Sequence, residues 1–338
     1  MKAIVRIGLW KAIAFLAAVI FSLSFSGCCP DDDPLPPIPP ADTLKASIVV
    51  KPAINIKLTS ATLVGVVVPN QKNTTFTFEY RLASEITWQS QTLSQTFNGS
   101  DSIQVTLDVD NLKVGSKYIV VAKGYNEAGV VVSTNNTAFT TYAVSDYDGN
   151  LYHTVKIGNQ VWLQESFKGT HFANGDVIPN VTDKKQWDAM TTPAYCWYNN
   201  DSKIGETYGG LYNFYVANDS RGLIINFHTP SLDEWTTLAN YLGGSDIAGG
   251  KMKEAGYAHW IQPNAGATNS SEFNGLPSGV RQDTFSNLGD GVAFWSTTKF
   301  MGMPNMALAT DLGEISATLQ LNGGSCLYRA HSIRLAQN

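Results

Sequence analysis

Charged side chains and cysteines are both scarce in this chain of 338 residues. Only 15% of the residues are charged, against 43% hydrophobic and 11% aromatic, a balance typical of extracellular β-rich folds and unlike that of cytosolic helical enzymes. The five histidines stand singly, without the spacing of zinc ligands. The sequence also lacks a phosphate-binding glycine loop and a G-x-S-x-G nucleophile motif. These absences predict a protein that is not an enzyme, holds no catalytic metal and requires no cofactor.

The first 27 residues have the pattern of a secretory leader. Lys2, Arg6 and Lys11 precede and flank an apolar run over residues 12–25. This run is shorter than the roughly 18–20 residues that span a bilayer as a helix, so it predicts a signal peptide. The small residues just before Cys28 resemble a bacterial lipobox, which implies that Cys28 becomes the lipidated N-terminus of the mature protein.

Residues 28–45 are predicted to form an acidic and proline-rich linker. The aspartates at 31–33 resemble the surface-export signal of Bacteroidetes lipoproteins, and the prolines within 34–40 predict a stiff, extended spacer. Removal of the leader leaves 20 basic residues against 28 acidic ones, a net charge of −8, which argues against nucleic acid or anionic lipid as a partner. We therefore expect an outer-membrane lipoprotein, exposed at the cell surface and bound to the membrane through its lipid anchor.

Residues 46–142 are predicted to be an all-β, immunoglobulin-like sandwich. Short runs of alternating hydrophobicity are separated by turn signals, and aromatic residues alternate over 76–80. Trp88 is expected in the core, and Tyr118 resembles a tyrosine corner, whose phenol bonds to an upstream backbone group. The stretch resembles a fibronectin type III domain, which implies a role as a spacer that displays the next domain.

A short helix is predicted to organise the remaining residues, 146–338. Ser231 and Glu234 have the spacing of a capping box, and Gly243 and Gly244 supply the left-handed position that ends the helix. The apolar residues between them fall on one face, which predicts a buried stripe; they are Trp235, Leu238, Ala239 and Leu242. His228, just before the helix, is predicted to be a packed core residue.

Two further local features concern the start and the end of this unit. Gly158-Asn159 predicts a two-residue hairpin turn between strands. Residues 153–157 are then predicted to pair with residues 332–335, so that both apolar sets pack against the helix. The residues from Asp146 to Asn150 resemble half of a calcium loop, but the glycine is fourth and the twelfth residue is Ile157, so a tight turn is the better interpretation.

Nine short motifs in residues 146–338 resemble a single family. They are DGNLY at 148–152, VKIGNQVW at 155–162, YCWYNND at 195–201, YGGLYN at 208–213, HTPS at 228–231, DEW at 233–235, NSSEF at 269–273, LPSG at 276–279 and FWST at 294–297. They resemble the FISUMP family, the major paralogous domain of Fibrobacter. That resemblance implies an α+β domain of the C-type-lectin-like fold, in the branch of the formylglycine-generating enzyme.

The chain departs from this family at its cysteines. The family usually has one cysteine in a stretch that corresponds to residues 221–228 and another in a stretch that corresponds to 333–336, and both are missing here. Both cysteines are missing together, as expected if they form a disulfide in the family and were lost as a pair. The remaining pair, Cys196 and Cys326, is either a disulfide or two free thiols. Formylglycine-type chemistry requires two cysteines close in sequence, so the isolated Cys326 argues against it.

Two surfaces are candidates for ligand binding. Gln262 and Asn264, around Pro263, echo the triplet with which sugar-binding C-type lectins hold calcium, although a plain turn explains them equally well and the companion Trp-Asn-Asp is missing. Residues 301–329 form the other candidate, because adaptable methionines and an amphipathic tyrosine suit a partner-binding face, unless these side chains are core; they are Met301, Met303, Asn305 and Tyr328.

The sequence thus favours a non-catalytic lipoprotein that displays a C-type-lectin-like module for ligand binding or adhesion. A glycan or a protein is the expected ligand. The alternative is a structural or assembly subunit of a pilus or envelope complex. An enzyme would require a cluster of perturbed acids or a metal site that the sequence does not reveal.

Overall fold

The computed structural model describes residues 45–338, so the predicted leader, Cys28 and most of the linker lie outside the described residues. The described part is rich in β-strand and has few helices, as predicted. It divides into two compact units between Thr141 and Tyr142. No helix within residues 45–338 is both long and apolar enough to cross a membrane.

The first unit consists of two antiparallel sheets around one hydrophobic cluster. Its strands are β1 (Ser47–Ile54), β2 (Ala61–Val68), β3 (Thr75–Leu82), β4 (Gln89–Thr92), β5 (Ile103–Val109), β6 (Lys117–Asn126), β7 (Gly129–Val132) and β8 (Thr137–Thr140). One sheet has the order β1-β2-β5, and the other has the order β4-β3-β6-β7 with β8 also paired to β6. The buried cluster takes side chains from both sheets, among them Ile48, Phe76 and Leu107, because alternate residues of each strand face inward.

Two aromatic predictions for this unit had opposite outcomes. The Tyr118 hydroxyl accepts a hydrogen bond of 2.8 Å from the backbone N–H of Lys113, so the predicted bond to an upstream backbone group is confirmed. The prediction of a core tryptophan is wrong, since Trp88 is 37% exposed. The Arg81 guanidinium lies 4.8 Å from the centre of the Trp88 ring, and a cation–π contact of this kind stabilises an indole that stays at the surface.

The second unit carries short strands and helices between long connections. Its strands are β9 (Val144–Ser145), β10 (Leu151–Tyr152), β11 (Thr154–Ile157), β12 (Gln160–Leu163), β13 (Tyr195–Cys196), β14 (Leu211–Tyr212), β15 (Phe227–His228), β16 (Ser278–Arg281), β17 (Phe285–Leu288), β18 (Gly291–Lys299), β19 (Met306–Gly313), β20 (Gln320–Cys326) and β21 (Ala336–Gln337). Its helices are α1 (Lys184–Asp188), α2 (Ser202–Tyr208), α3 (Phe214–Ala217), α4 (Leu232–Tyr241) and α5 (Ser245–Met252), with a 3-10 turn at Tyr198–Asn200.

Two sheets form the framework of this unit. The first has the order β11-β12-β21-β15, and the second has the order β17-β16-β18-β19-β20. The strand pairs β9–β10 and β13–β14 stand apart from them. The unit begins at Tyr142, a few residues before the predicted start at 146, because β9 pairs with β10 and the N–H of Ala143 donates to the carbonyl of Tyr152.

The predicted capped helix is confirmed as α4. The Ser231 hydroxyl accepts from the N–H of Glu234, and the Glu234 carboxylate accepts from the N–H of Ser231 at 2.8 Å. Gly243 and Gly244 have φ angles of 101° and 103°, as the end of the helix requires. The apolar stripe is buried with Val155 and Ile157 of β11 in one cluster.

His228 is not a packed core residue, which corrects the prediction. Its Nε2 atom lies 2.7 Å from Glu234 Oε1, and its Nδ1 atom lies 2.6 Å from Asn338 Oδ1. The imidazole is about a third exposed and joins the start of α4 to the last residue of the chain. Because both ring nitrogens have polar partners, the side chain is held at the surface of the unit.

The predicted pairing of residues 153–157 with 332–335 is also wrong in detail. β11 pairs with β12 through the predicted turn at Gly158-Asn159, and β12 in turn pairs with β21, opposing Trp162 to Ala336. Ile333 and Leu335 pack in a cluster separate from that of α4. The ends of the unit do meet, but β12 lies between them because the hairpin places its second strand on the inside.

Candidate functional site

The proposed calcium and sugar triplet does not form a ligand face. Asn264 is only 5% exposed, and its amide nitrogen donates to the carbonyls of Glu254 at 3.0 Å and Gly256 at 2.8 Å. Gln262 is exposed to solvent. Because the Asn264 amide is turned inward, the two carboxamides do not converge on one ligand, and Asn264 instead fixes the turn at 254–256. Residues 45–338 contain no group of three or more His, Cys, Asp or Glu side chains able to hold a metal ion.

The candidate surface within 301–329 is exposed at the tip of the β18–β19 hairpin. Met301 is 94% exposed and Met303 is 50% exposed, and Asn305 also faces solvent. The tip is ordered by backbone bonds from Phe300 to Met306 at 3.0 Å and from Met306 to Met303 at 3.0 Å. Two large apolar side chains on a hydrogen-bonded turn are a surface feature that suits partner binding.

The segment after β20 lies against this hairpin. The N–H of Leu327 donates to the carbonyl of Asn305 at 3.1 Å, and the carbonyl of Leu327 accepts from the N–H of Phe214 at 3.0 Å. The indole of Trp187 donates to the carbonyl of Tyr328 at 2.7 Å. Tyr328 itself is partly buried, so it contributes less open surface than Met301.

A cleft of about 390 Å³, here called the hairpin cleft, opens beside these residues. Its apolar wall is built by Pro193, Phe214 and Leu327. Tyr215 and Lys299 supply polar groups, and further polar lining comes from the turn that follows α3; those residues are Asn218, Asp219 and Ser220. An aromatic and aliphatic wall with a few polar groups is the composition expected of a ligand site.

The hairpin cleft contains one lysine, Lys299, and one acid, Asp219, that do not pair with each other. Both Asp219 carboxylate oxygens accept from Arg221, at 2.8 Å each, and these hydrogen bonds lower the pKa of Asp219. A third bond of 2.9 Å joins Arg221 to Asp176. Lys299 is exposed, and its ammonium makes no hydrogen bond or ion pair with any residue of 45–338. A ligand that carries an acidic or hydrogen-bond-accepting group would find Lys299 free.

The candidate disulfide is absent, and both Cys196 and Cys326 are free thiols. Cys196 belongs to β13, opposite Leu211, whereas Cys326 ends β20, opposite Met306. Since these strands belong to different sheets, the two cysteines are fixed in separate parts of the unit. Burial raises the pKa of Cys196 to about 11, so its thiol stays protonated and unreactive at neutral pH.

One serine–histidine pair lies close together but is not arranged for catalysis. Ser325 Oγ is 2.7 Å from His331 Nε2, and the two residues are 4% and 3% exposed. Burial lowers the pKa of His331 to about 3, with Arg329 acting in the same direction. Its Nδ1 atom has no hydrogen-bond partner within residues 45–338, so this pair lacks both the orienting group and the access that nucleophilic catalysis requires.

The sequence had revealed the hairpin tip but not the cleft beside it. The cleft combines a residue before β13, part of α3 and the turn after it, the end of β18 and the segment after β20. No single motif contains these residues. The one local signal is the Asp219-Ser-Arg221 spacing, which lets the Arg221 guanidinium bond the Asp219 carboxylate.

Comparison with solved structures gives only distant likenesses. The sensor domain of the anti-sigma factor RsgI4 of Pseudobacteroides cellulosolvens is 20% identical, over 30% of this chain and 97% of that one, with a TM-score of 0.24. A myokine structure is 16% identical over 28% and 95%, with a TM-score of 0.23. Sulfane dehydrogenase SoxCD of Paracoccus pantotrophus is 18% identical over 40% and 32%, with a TM-score of 0.20. Likenesses this small carry no argument about fold or function.

A family model gives the informative comparison. No curated protein gives a significant match to this chain. The model of the Fibrobacter succinogenes major domain (Fib_succ_major) matches residues 155–333, which is more than half of the 338 residues. The matched stretch contains eight of the nine motifs, α4 and all residues of the hairpin cleft. The chain therefore belongs to the Fibrobacter succinogenes major domain family.

Proposed function

We propose that this chain is an outer-membrane lipoprotein, anchored through Cys28, that displays a non-catalytic module for ligand binding or adhesion at the cell surface. The observation that carries the proposal is the hairpin cleft, which combines an apolar wall with Lys299, a lysine unpaired within residues 45–338 that lies two residues before the exposed Met301. The ligand is a glycan or a protein that presents an acidic or hydrogen-bond-accepting group to Lys299.

Each unit has its own role in this proposal. The first unit is a fibronectin type III-like spacer, supported by its two sheets of three and five strands and by the Tyr118 bond. The second unit is a C-type-lectin-like α+β module, supported by the meeting of its ends at β12 and β21. The proline-rich linker then keeps the spacer and the module away from the lipid surface.

Ligand contact is proposed to combine two physical contributions. The side chains of Met301 and Met303 lose exposed apolar surface on binding, and burial of apolar surface gives about 25 cal/mol per Å². Lys299 supplies a charged donor that orients the ligand in the cleft. Tyr215, at the cleft wall, offers both an aromatic face and a hydroxyl group, a combination favoured in glycan and protein recognition.

A binding screen with matched variants tests the ligand face. The protein is applied to glycan arrays and to envelope extracts in pull-downs, as wild type, as Lys299→Ala combined with Tyr215→Ala, and as Lys203→Ala. Lys203 is another exposed lysine, on α2 and outside the cleft. The proposal expects a ligand that the wild type and the Lys203 variant retain and that the cleft variant loses. The proposal would be contradicted if all three proteins bound the same ligands, or if none of them bound any ligand.

The anchor is tested separately by fractionation. Cys28→Ser is expected to release the protein from the membrane fraction, because acyl chains on this one thiol provide the attachment, at about 0.8 kcal/mol per buried CH₂. Cys29→Ser, which alters the neighbouring thiol only, should leave the protein in the membrane fraction. A Cys28→Ser protein that still sediments with membranes would show that the anchor lies elsewhere.

A further inference from the structure

A second cleft, of about 430 Å³, lies between the start of α5 and the strands β19 and β20. We call it the carboxylate cleft. Ser245 and Asp246 come from the first turn of α5, Gln320 and Asn322 come from β20, and Asp311 comes from β19. Every one of these five side chains is polar, which distinguishes this cleft from the hairpin cleft with its apolar wall.

Asp311 is partly buried, and its carboxylate lacks a partner among residues 45–338. Its carboxylate makes no hydrogen bond or ion pair with any residue of 45–338, although the side chain is only partly exposed. Burial raises the pKa of Asp311 to about 6. Folded proteins rarely leave a desolvated carboxylate without a donor, because doing so costs stability. A fold that keeps this cost beside an open cleft points to a donor that arrives from outside.

The backbone beside Asp311 leaves room for its carboxylate. A Cβ atom added at Gly323 would lie 2.7 Å from Asp311 Oδ2 and 3.2 Å from the Ala309 carbonyl. The Asp311 carboxylate therefore occupies space that a side chain at position 323 would need, and any residue larger than glycine there would displace it. Gly323 opposes Ala309 in the β19–β20 pairing, so the space is set by the strand register.

No side chain that lines the cleft compensates the charge of its carboxylates. None of the residues that line it is basic, and Asp246 at its rim adds a second carboxylate. Ser245, Asp246, Gln320 and Asn322 make no side-chain hydrogen bond to any described residue. Thr318 has its hydroxyl bonded by Ser316 at 2.8 Å. A cation that donates several hydrogen bonds would satisfy these acceptors together.

We propose that the carboxylate cleft binds an ammonium or guanidinium group, with Asp311 as the principal acceptor and Asp246 as a second one. An organic cation fits better than a metal ion because the cavity is far larger than a single ion. Calcium, moreover, requires six to eight converging oxygens, and no group of three acids converges within residues 45–338. The group is carried by a lysine or arginine of a partner protein or by a free amine, and this inference does not depend on the hairpin cleft.

Titration calorimetry of the full chain at pH 7.5 and low ionic strength tests the proposal. The probes are an end-blocked pentapeptide with arginine between glycines, the same peptide with neutral citrulline, ethylguanidinium, and calcium chloride. The protein variants are Asp311→Asn, Gly323→Ala and the control Asp283→Asn, an exposed acid outside the cleft. The melting temperature of each variant is measured in parallel.

The arginine peptide or ethylguanidinium is expected to bind to the wild type, with affinity reduced at least tenfold by Asp311→Asn and by Gly323→Ala and unchanged by Asp283→Asn. Tighter binding of the peptide assigns the cation to a partner's side chain, and tighter binding of ethylguanidinium assigns it to a free amine. Asp311→Asn should also hold or raise the melting temperature, because it removes an unpaired charge.

Four results would overturn the proposal. They are equal binding of the arginine and citrulline peptides, binding of calcium alone, no binding of any probe, and an equal loss of affinity in the Asp283 control. A lower melting temperature for Asp311→Asn with binding unchanged would likewise contradict it, since it would assign Asp311 a purely structural role.

Discussion

Trp162 and Ala336 are direct partners across two antiparallel strands, so the end of the chain is bonded to β12. Next to this pair, the guanidinium of Arg334 is fully buried and lies 4.3 Å from the centre of the Phe273 ring. Arg334 Nη1 also donates to the carbonyls of Leu163, at 3.0 Å, and Phe273, at 2.8 Å. The last ten residues thus hold strands and loops together from inside the second unit.

Truncation after Tyr328 is expected to abolish the cooperative unfolding of the second unit. The deletion removes the buried side chains of Ile333 and Leu335, each giving roughly 1.5–3 kcal/mol, together with Arg334 and β21. The readout is near-UV circular dichroism, because six of the eight tryptophans lie in this unit. Removal of Asn338 alone should leave a sharp transition. A truncated chain that melts as sharply as the full one would contradict the role of the C-terminal strand.

Replacement of Lys253 by methionine is expected to destabilise the second unit by roughly 2–5 kcal/mol. The ammonium of this fully buried residue donates to the carbonyls of Ala265, Gly313 and Ser316, at 3.0, 2.8 and 2.8 Å. Burial lowers the pKa of Lys253 to about 8, which shows that the buried ammonium has a desolvation cost. Methionine removes that cost, but we expect the loss of three hydrogen bonds to be larger.

Chemical denaturation measures this effect, with Lys251→Met as the matched control. Lys251 lies two residues away, in the last turn of α5, but donates a single bond of 2.8 Å, to the carbonyl of Leu242, so its loss should cost about 1 kcal/mol or less. Equal free energies of unfolding for the two variants would show that the three carbonyls do not depend on Lys253.

His331 is expected to make the second unit less stable in acid. Its pKa is about 3 in the folded chain, below the ordinary value of 6.5. Between these two pH values the unfolded chain binds a proton that the folded chain does not bind. The free energy of unfolding therefore falls as the pH drops from 6.5 towards 3, by up to about 1.4 kcal/mol per pH unit for this one group.

The contribution of His331 is isolated by comparison with His331→Gln. Acidic residues titrate in both proteins, so the difference between their unfolding free energies at pH 7 and pH 4 reports on the imidazole. The wild type should lose more stability than the variant. An imidazole NMR signal for His331 that titrates near pH 6.5 would contradict the assignment.

A cysteine pair at Leu223 and Leu335 is expected to form a disulfide. The two side chains are buried in one cluster, and Phe227 and His228 pair directly with Gln337 and Ala336. These segments are the ones in which the family resemblance implies two lost cysteines. Mass spectrometry should find the cross-link in Leu223→Cys combined with Leu335→Cys, with a higher melting temperature, and in neither single variant. Two reduced thiols after oxidation would show that the side chains do not meet.

Local signals predicted the parts of the fold that depend on neighbouring residues. The capping box of Ser231 and Glu234 and the turn at Gly158-Asn159 are confirmed because each is decided within a few positions of the chain. Trp88 was misplaced because its size favours burial while the sequence does not show that Arg81 covers its ring. Alternating hydrophobicity locates strands well, but it does not show which strands pair with β21.

The candidate sites lay further beyond the sequence. Lys253 and Arg334 appear in the sequence as ordinary cations, and the carbonyls that hold them come from segments up to 171 positions away. Lys299 and Asp311 are candidate site residues because their charged groups have no partner within residues 45–338. Such properties arise only when distant segments are packed, so a motif search misses them.

Methionine oxidation footprinting tests the central claim most directly. The protein is treated with peroxide alone and while bound to the glycan or protein that the wild type retains, and each methionine is quantified by mass spectrometry. Met301 and Met303, 94% and 50% exposed, should oxidise readily in the free protein and become protected in the complex, while buried Met252 stays unmodified throughout. Oxidation of Met301 and Met303 at the same rate in both states would place the ligand elsewhere and contradict the proposed binding face.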